Sequence, residues 1–124
     1  MTKVYISLPI GGFENTVRSR YENAKSIILK HMPDAIISGP LNIDDFDDDG
    51  YHCPSENLNE IGRDHPWEWY IGEDIKELLT CDAIYMTRGW KYSRGCKVEY
   101  AVAEAEGMRK MYDDYSDGKL DNNE

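Results

Sequence analysis

Three absences narrow the reading of this sequence before any motif is considered. No apolar run approaches the roughly 18 residues that a membrane-spanning helix requires, and there is no excess of basic charge. The 14 lysines and arginines face 24 acidic residues, for a formal net charge of −10. That balance opposes partners held by neutralising a phosphate backbone, so neither a nucleic-acid polymer nor an anionic membrane is expected as a partner. Cysteine is scarce too. Cys53, Cys81 and Cys96 are odd in number and show neither Cys-x-x-Cys spacing nor a His/Cys ligand series, which argues against a disulfide framework and leaves reduced thiols as the expectation. His31, His52 and His65 share no metal-ligand spacing, and no metal or cofactor is expected. The N-terminus enters a strand pattern at once, without a signal-peptide layout, so a cytoplasmic protein is the reading.

What is present is enough for one domain with one core, since 124 residues lie in the single-domain range. Lys3 to Leu8 is a β-branched and aromatic run ended by Pro9 and the Gly11-Gly12 pair, a strand feeding a tight turn. From Glu14 to Met32 the apolar positions Val17, Tyr21, Ala24, Ile28 and Met32 recur at helical spacing until Pro33. Ala35 to Ser38 reads as a short strand. Residues 41–64 are acidic and show no sustained period, which marks a long loop. A helix opens at His65-Pro66 and runs to about Leu79 with the stripe Trp67, Ile71, Leu78. Ala83 to Thr87 is a strand, followed by a polar loop. A helix is expected from about Cys96 to Glu106, burying Val98, Ala101, Val102 and Ala105, with Gly107 as its C-cap. Met108 to Tyr112 forms a last strand. Residues 1–112 make up the domain, and 113–124, with five acids against one lysine, read as a flexible acidic tail.

Strands alternating with helices predict an α/β fold of three layers, flavodoxin-like or Rossmann-like. The expected sheet is mostly parallel, of four to five strands, with helices on both faces. Ligands of such folds bind at the carboxyl ends of the strands. That edge carries the Pro9 to Gly12 turn, the loop after Ser38, and the Arg88 to Gly95 loop.

Two acids matter near that edge. Stepping 100° per residue, Asp74 falls inside the stripe of Trp67, Ile71 and Leu78 rather than opposite it. Buried there, it must meet hydrogen-bond donors or an open cavity, as a ligand-contacting acid or as a staple for a neighbouring loop. Glu99 falls in the first turn of its helix, where the helix dipole favours a glutamate without any further role. Gly89, Ser93 and Gly95 precede it at the ligand edge, however, and free amides at a helix start attract anions. Ser93 and those amides can hold a phosphate while Glu99 faces a sugar; a capping serine is the plainer reading. Trp90 and Tyr92 can stack a base, and so can Trp67 or Trp69; Trp67 reads more as core, and Trp90, in a loop after a strand, is the better candidate. Asp45, Asp47, Asp49, Gly50 and Glu56 fit the ligand spacing of a calcium loop. They lack an incoming helix, and Pro54 intrudes, so a solvated acidic loop is the favoured reading.

The segments Val4-Tyr5-Ile6-Ser7-Leu8-Pro9-Ile10-Gly11-Gly12, Trp69-Tyr70 with Asp74-Ile75, Cys81-Asp82-Ala83-Ile84-Tyr85, Gly89-Trp90, and Ser93-Arg94-Gly95 with Glu99 together resemble the nucleoside 2-deoxyribosyltransferase superfamily over roughly residues 3–107. The closest look is to its DUF4406 branch, with the 2'-deoxynucleoside 5'-phosphate N-hydrolases as a related branch. The resemblance implies that Glu99 is a nucleophile at an anomeric carbon, that Asp74 contacts the sugar or aids proton transfer, that Tyr5 lies near the nucleophile, and that Ser93 meets a 5'-phosphate. Ser7, Pro9, Ile10, Gly11, Gly12, Gly89, Trp90, Arg94 and Gly95 complete the expected substrate site. The ligand implied is a nucleoside or nucleoside monophosphate, the reaction cleavage or transfer at an N-glycosidic bond, and the assembly a homo-oligomer. A non-catalytic nucleotide-sensing module of the same fold is the competing reading. The turn departs from the family's Gly-Pro-Ile-x-Gly in carrying Leu8 at the first glycine. It also lacks the arginine of the N-hydrolases, for which Arg94 or Arg88 can substitute.

Overall fold

The structure is a computed structural model, and the residues it describes are 2–11, 14–41, 43, 46–47, 50–51 and 66–113. Chain order runs β1 (Lys3–Ser7), a 3-10 turn (Glu14–Thr16), α1 (Val17–His31), β2 (Ile36–Ser38), β3 (Phe46–Asp47) and β4 (Gly50–Tyr51). It continues through α2 (Trp67–Leu78), β5 (Ala83–Met86), a second 3-10 turn (Trp90–Tyr92), α3 (Arg94–Ala105) and β6 (Arg109–Tyr112). The main sheet has four strands in the order β2-β1-β5-β6, every pair parallel. Among the described residues no helix is long and apolar enough to cross a membrane.

Strand alternation sorts the core into two halves. Val4, Ile6 and Leu8 of the first strand region pack with Ala83, Tyr85 and Met111 against the Val17, Tyr21, Ala24 and Ile28 face of α1. Their neighbours Tyr5, Ile84, Met86 and Tyr112 point the other way, against Leu78 of α2 and Cys96 and Ala103 of α3. The sheet is therefore the middle of three layers, as the element order predicts. Gly39 admits a close approach after β2, since a Cβ there would sit 2.7 Å from the Tyr21 ring.

Two expectations are corrected. Residues 41–64 contain a short antiparallel hairpin, with Phe46 opposite Tyr51 and Asp47 opposite Gly50. Strands of two residues carry too little alternation to register as a period. The second correction concerns α3, which begins at Arg94 rather than Cys96 because Ser93 caps it, its side chain accepting the Cys96 N–H at 3.2 Å. Glu99 is consequently its sixth residue, beyond the reach of a first-turn dipole effect.

The helix is also rotated from the face that its apolar residues favour. Its buried positions are Cys96, Glu99 and Ala103. Val98 is 36% exposed, Ala101 and Ala105 are exposed, and Val102 is half-buried. A carboxylate thus faces the core while Val98, expected to be buried, stands at the surface. The calcium-type pattern cannot be placed: Asp45, Asp49 and Glu56 lie outside the described residues, as do His52, His65, Cys53 and residues 114–124 of the tail.

Candidate active site

Glu99 retains 4% exposure, and the sheet supplies the donors that this burial requires. Tyr5 and Ser7 are two apart on β1 and so project from the same face. The Tyr5 hydroxyl donates to Oε2 of Glu99 at 2.8 Å, and the Ser7 hydroxyl donates to Oε1 at 2.6 Å. Each carboxylate oxygen therefore has a hydroxyl partner from one central strand. Burial nonetheless dominates and lifts the Glu99 pKa to about 7, the Ser7 and Tyr5 hydrogen bonds pulling against it while the charge of Asp74 adds to the rise. At pH 7 its two protonation states are therefore close to balanced. Burial, then the charge of Glu99, pushes the Tyr5 phenol well above its ordinary range, which keeps it a donor. Cys96, one turn before Glu99, is raised to about 11 by burial, against hydrogen bonding from Ser7 and Ser93, and stays a thiol.

Asp74 resolves the wheel anomaly in α2. Its Oδ1 accepts the Leu41 backbone N–H at 2.8 Å, so it staples the loop after β2. Burial raises its pKa to about 6, the Leu41 bond lowering it and the charge of Glu73 raising it. Its field also reaches the sheet, because the charge of Asp74 contributes to the raised values of both Glu99 and Tyr5. The two acids are thus one electrostatic unit around Tyr5.

Beside this unit lies a cleft of about 730 Å³. It sits where the chain order reverses, between the loops that follow the adjacent parallel strands β1 and β5, the place where open α/β sheets bind ligands. The sequence-predicted residues Pro9, Gly11, Gly89, Ser93, Arg94 and Gly95 line it. Gly89 turns the chain there with a φ of 88°, a left-handed conformation suited to glycine. Asp74 and Glu99 do not line this cleft.

Two other predicted residues pack against the core. Trp90 stacks on Tyr100 with ring centroids 4.5 Å apart and packs, partly buried, against the α2/α3 side of the core. Ile10 packs against the α1 side of the core. Gly12 lies outside the described residues. The aromatic side chains at the cleft are instead Trp67 and Tyr92, the latter 93% exposed.

Sequence reasoning missed Arg20. Its Nη2 donates to the Pro9 carbonyl at 2.5 Å and its Nε to Thr16 Oγ1 at 3.0 Å, which fixes the guanidinium at the mouth of β1. Burial lowers its pKa from the ordinary arginine value. The signal was available: Arg20 sits in the first turn of α1, on the flank of the Val17, Tyr21, Ala24 stripe. Arg88 and Arg94 complete a set of three guanidinium groups along the cleft, Arg94 lying over the Trp67 ring at 3.7 Å from its centroid. Among the described residues no group of three or more His, Cys, Asp or Glu side chains is placed to hold a metal.

Comparison with known proteins adds one assignment. A family model described as Domain of unknown function (DUF4406) matches residues 2–112. No curated protein matches the chain, and no solved structure does. The chain belongs to the DUF4406 family.

Proposed function

We propose that this DUF4406 protein is a nucleoside 2-deoxyribosyltransferase or deoxynucleotide N-glycosidase that cleaves an N-glycosidic bond through Glu99. The observation that carries the reading is a carboxylate turned into the core side of α3, with both oxygens held by hydroxyls of β1 and a pKa near 7. Local sequence rules are broken most often at functional sites. A helix that buries glutamate and exposes valine breaks one.

The ionised Glu99 oxygen forms a bond to the anomeric carbon as the carbon–nitrogen bond breaks. The electron pair leaves with the base, which takes up a proton, and water or a second base then displaces Glu99. Tyr5 and Ser7 hold the attacking carboxylate in one orientation, which lowers the cost of reaching the reactive geometry. Asp74, with a pKa of about 6, is mainly ionised at pH 7 and suits a sugar hydroxyl as its partner. Its protonated fraction there, roughly a tenth, can supply the departing base. The protein works as a homo-oligomer in this reading, by the same resemblance.

A second reading is favoured by one observation, the near-complete burial of Glu99 away from the cleft lining. On that reading the fold binds or senses a nucleotide without turnover. Incubation with deoxynucleosides and their monophosphates, followed by chromatography for free base, separates the two. Base release by the wild type that is lost in Glu99→Ala supports catalysis; tight binding with no base release from either protein leaves the sensing module.

A further inference from the structure

We infer that the outward face of α3 docks a second copy of this chain, the two helices running antiparallel about a two-fold axis near Tyr100 and Ala101. The inference gives the homo-oligomer of the proposed function its surface, and it does not depend on turnover at Glu99.

The exposed residues of the two long sheet-packed helices differ in kind. Helix α1 exposes Ser19, Asn23, Ser26, Lys30 and His31, the polar set expected of a solvated face. Helix α3 exposes Val98, Ala101 and Ala105 together with Arg94, Lys97 and Glu104. Stepping 100° per residue, Val98, Ala101 and Ala105 fall on one line, opposite the buried Cys96, Glu99 and Ala103. With Arg94 at its start, the line is spaced four, three and four residues, the repeat of a coiled-coil seam. Apolar residues scattered singly over a surface are ordinary, whereas a contiguous apolar patch marks a contact. The patch extends toward α2, because Arg94 lies over the ring of the exposed Trp67.

Charge identifies the occupant. Helix α2 meets α3 on the Gly95 side, where a Cβ would lie 3.8 Å from Ile71 Cδ1. Lys97 and Glu104 sit on the other flank of the apolar line, seven residues apart and so on the same heptad position. In an antiparallel two-fold pair like flanks face each other, and every contact is made twice. Lys97 of each copy then meets Glu104 of the other. Glu104 holds Lys110 at 3.2 Å through Oε1 and has a second oxygen for Lys97. The same register sets Val98 between Ala101 and Ala105 of the second copy, as a knob enters a hole, and the alanines let the helices approach closely. A helix of 12 residues spans about 18 Å, which places the contact at the small end of interface size and makes the pair reversible.

Sedimentation velocity on the full chain tests this, over a dilution series reaching about 200 μM, above the micromolar scale of small interfaces. The expected result is a dimer that dissociates on dilution. Val98→Glu places two charges in the seam and should raise the dissociation constant more than about tenfold; circular dichroism checks that this variant, altered at an exposed position, still folds. Lys97→Glu sets like charges opposite each other and should weaken the pair about fivefold. Lys97→Glu combined with Glu104→Lys exchanges the two charges and should recover association. A wild type that stays monomeric throughout the series, a dimer indifferent to Val98→Glu, or an exchange that recovers nothing overturns the inference. The two readings fail separately: a dimer that releases no base counts against the glycosidic reaction alone, and base release by a monomeric wild type counts against the pairing alone.

Discussion

Helices α1 and α3 pack on opposite faces of the same sheet, and they obey different rules. On α1 the buried positions Val17, Tyr21, Ala24 and Ile28 are those that a hydrophobic stripe prescribes. On α3 the buried positions include Glu99, while Val98 stands 36% exposed. Packing energy alone explains the first face and opposes the second. The difference shows where the chain gives up hydrophobic burial to place a carboxylate between two hydroxyl donors, and the proposed function puts its chemistry on that side.

Substitutions on the two faces should therefore fail in different ways. The largest effect expected is on chemistry: Glu99→Ala lowers base release by about 10³-fold or more, the scale for loss of a covalent nucleophile, with substrate binding retained in calorimetry. On the other face, Ile28→Ala removes a fully buried side chain and costs about 2–5 kcal/mol in urea unfolding, leaving the pH profile of base release unmoved.

The third prediction concerns pH. The folded-state pKa of Glu99 lies above its ordinary value of 4.5, so the native state holds a proton that the unfolded chain has released. Stability then falls as pH rises from about 4.5 through 7 and levels off above. Glu99→Gln removes this loss and should unfold later in urea than the wild type at pH 8, by on the order of 3 kcal/mol for a shift of this size. A wild type whose stability stays flat between pH 5 and 8 would show that Glu99 is not desolvated.

A smaller effect follows at Ser7. Its hydrogen bond lowers the Glu99 pKa, so Ser7→Ala should move the acid limb of the rate profile to higher pH, with activity partly restored at pH 9. Least affected is Val98→Ser, which should change stability by about 0.5 kcal/mol or less, although the sequence pattern assigns that valine to the core. A loss of several kcal/mol there would mean that α3 packs on the face its apolar residues prefer.

Much of this architecture was legible in advance, and for a shared reason. Strands β1, β2, β5 and β6 and helices α1 and α2 were each found within a few residues, because the helices carry an apolar period of 3.6 and the strands are short apolar runs bounded by turn residues. The hairpin of β3 and β4 was not found, since two residues make no period. Asp74 was visible as an anomaly, yet its partner was not, because the Leu41 amide lies 33 residues away. Arg20 was overlooked because an arginine beside an apolar stripe looks like an ordinary helix flank. The packing of Trp90 was hidden for the converse reason: a tryptophan in a loop looks unpartnered, and only Tyr100 and Tyr112 in place around it reveal its ring contacts.

Local pattern was sufficient for the order of elements and the three layers, because periods of two and 3.6 specify which face of each element leaves water. The rotation of α3, the protonation of Glu99 and the gathering of Arg20, Arg88 and Arg94 had to await the folded chain. The bonds responsible join Glu99 to Tyr5 and Ser7 across 94 and 92 positions. Desolvation, which sets the ionisation of that carboxyl group, exists only once the sheet and α3 have closed around it.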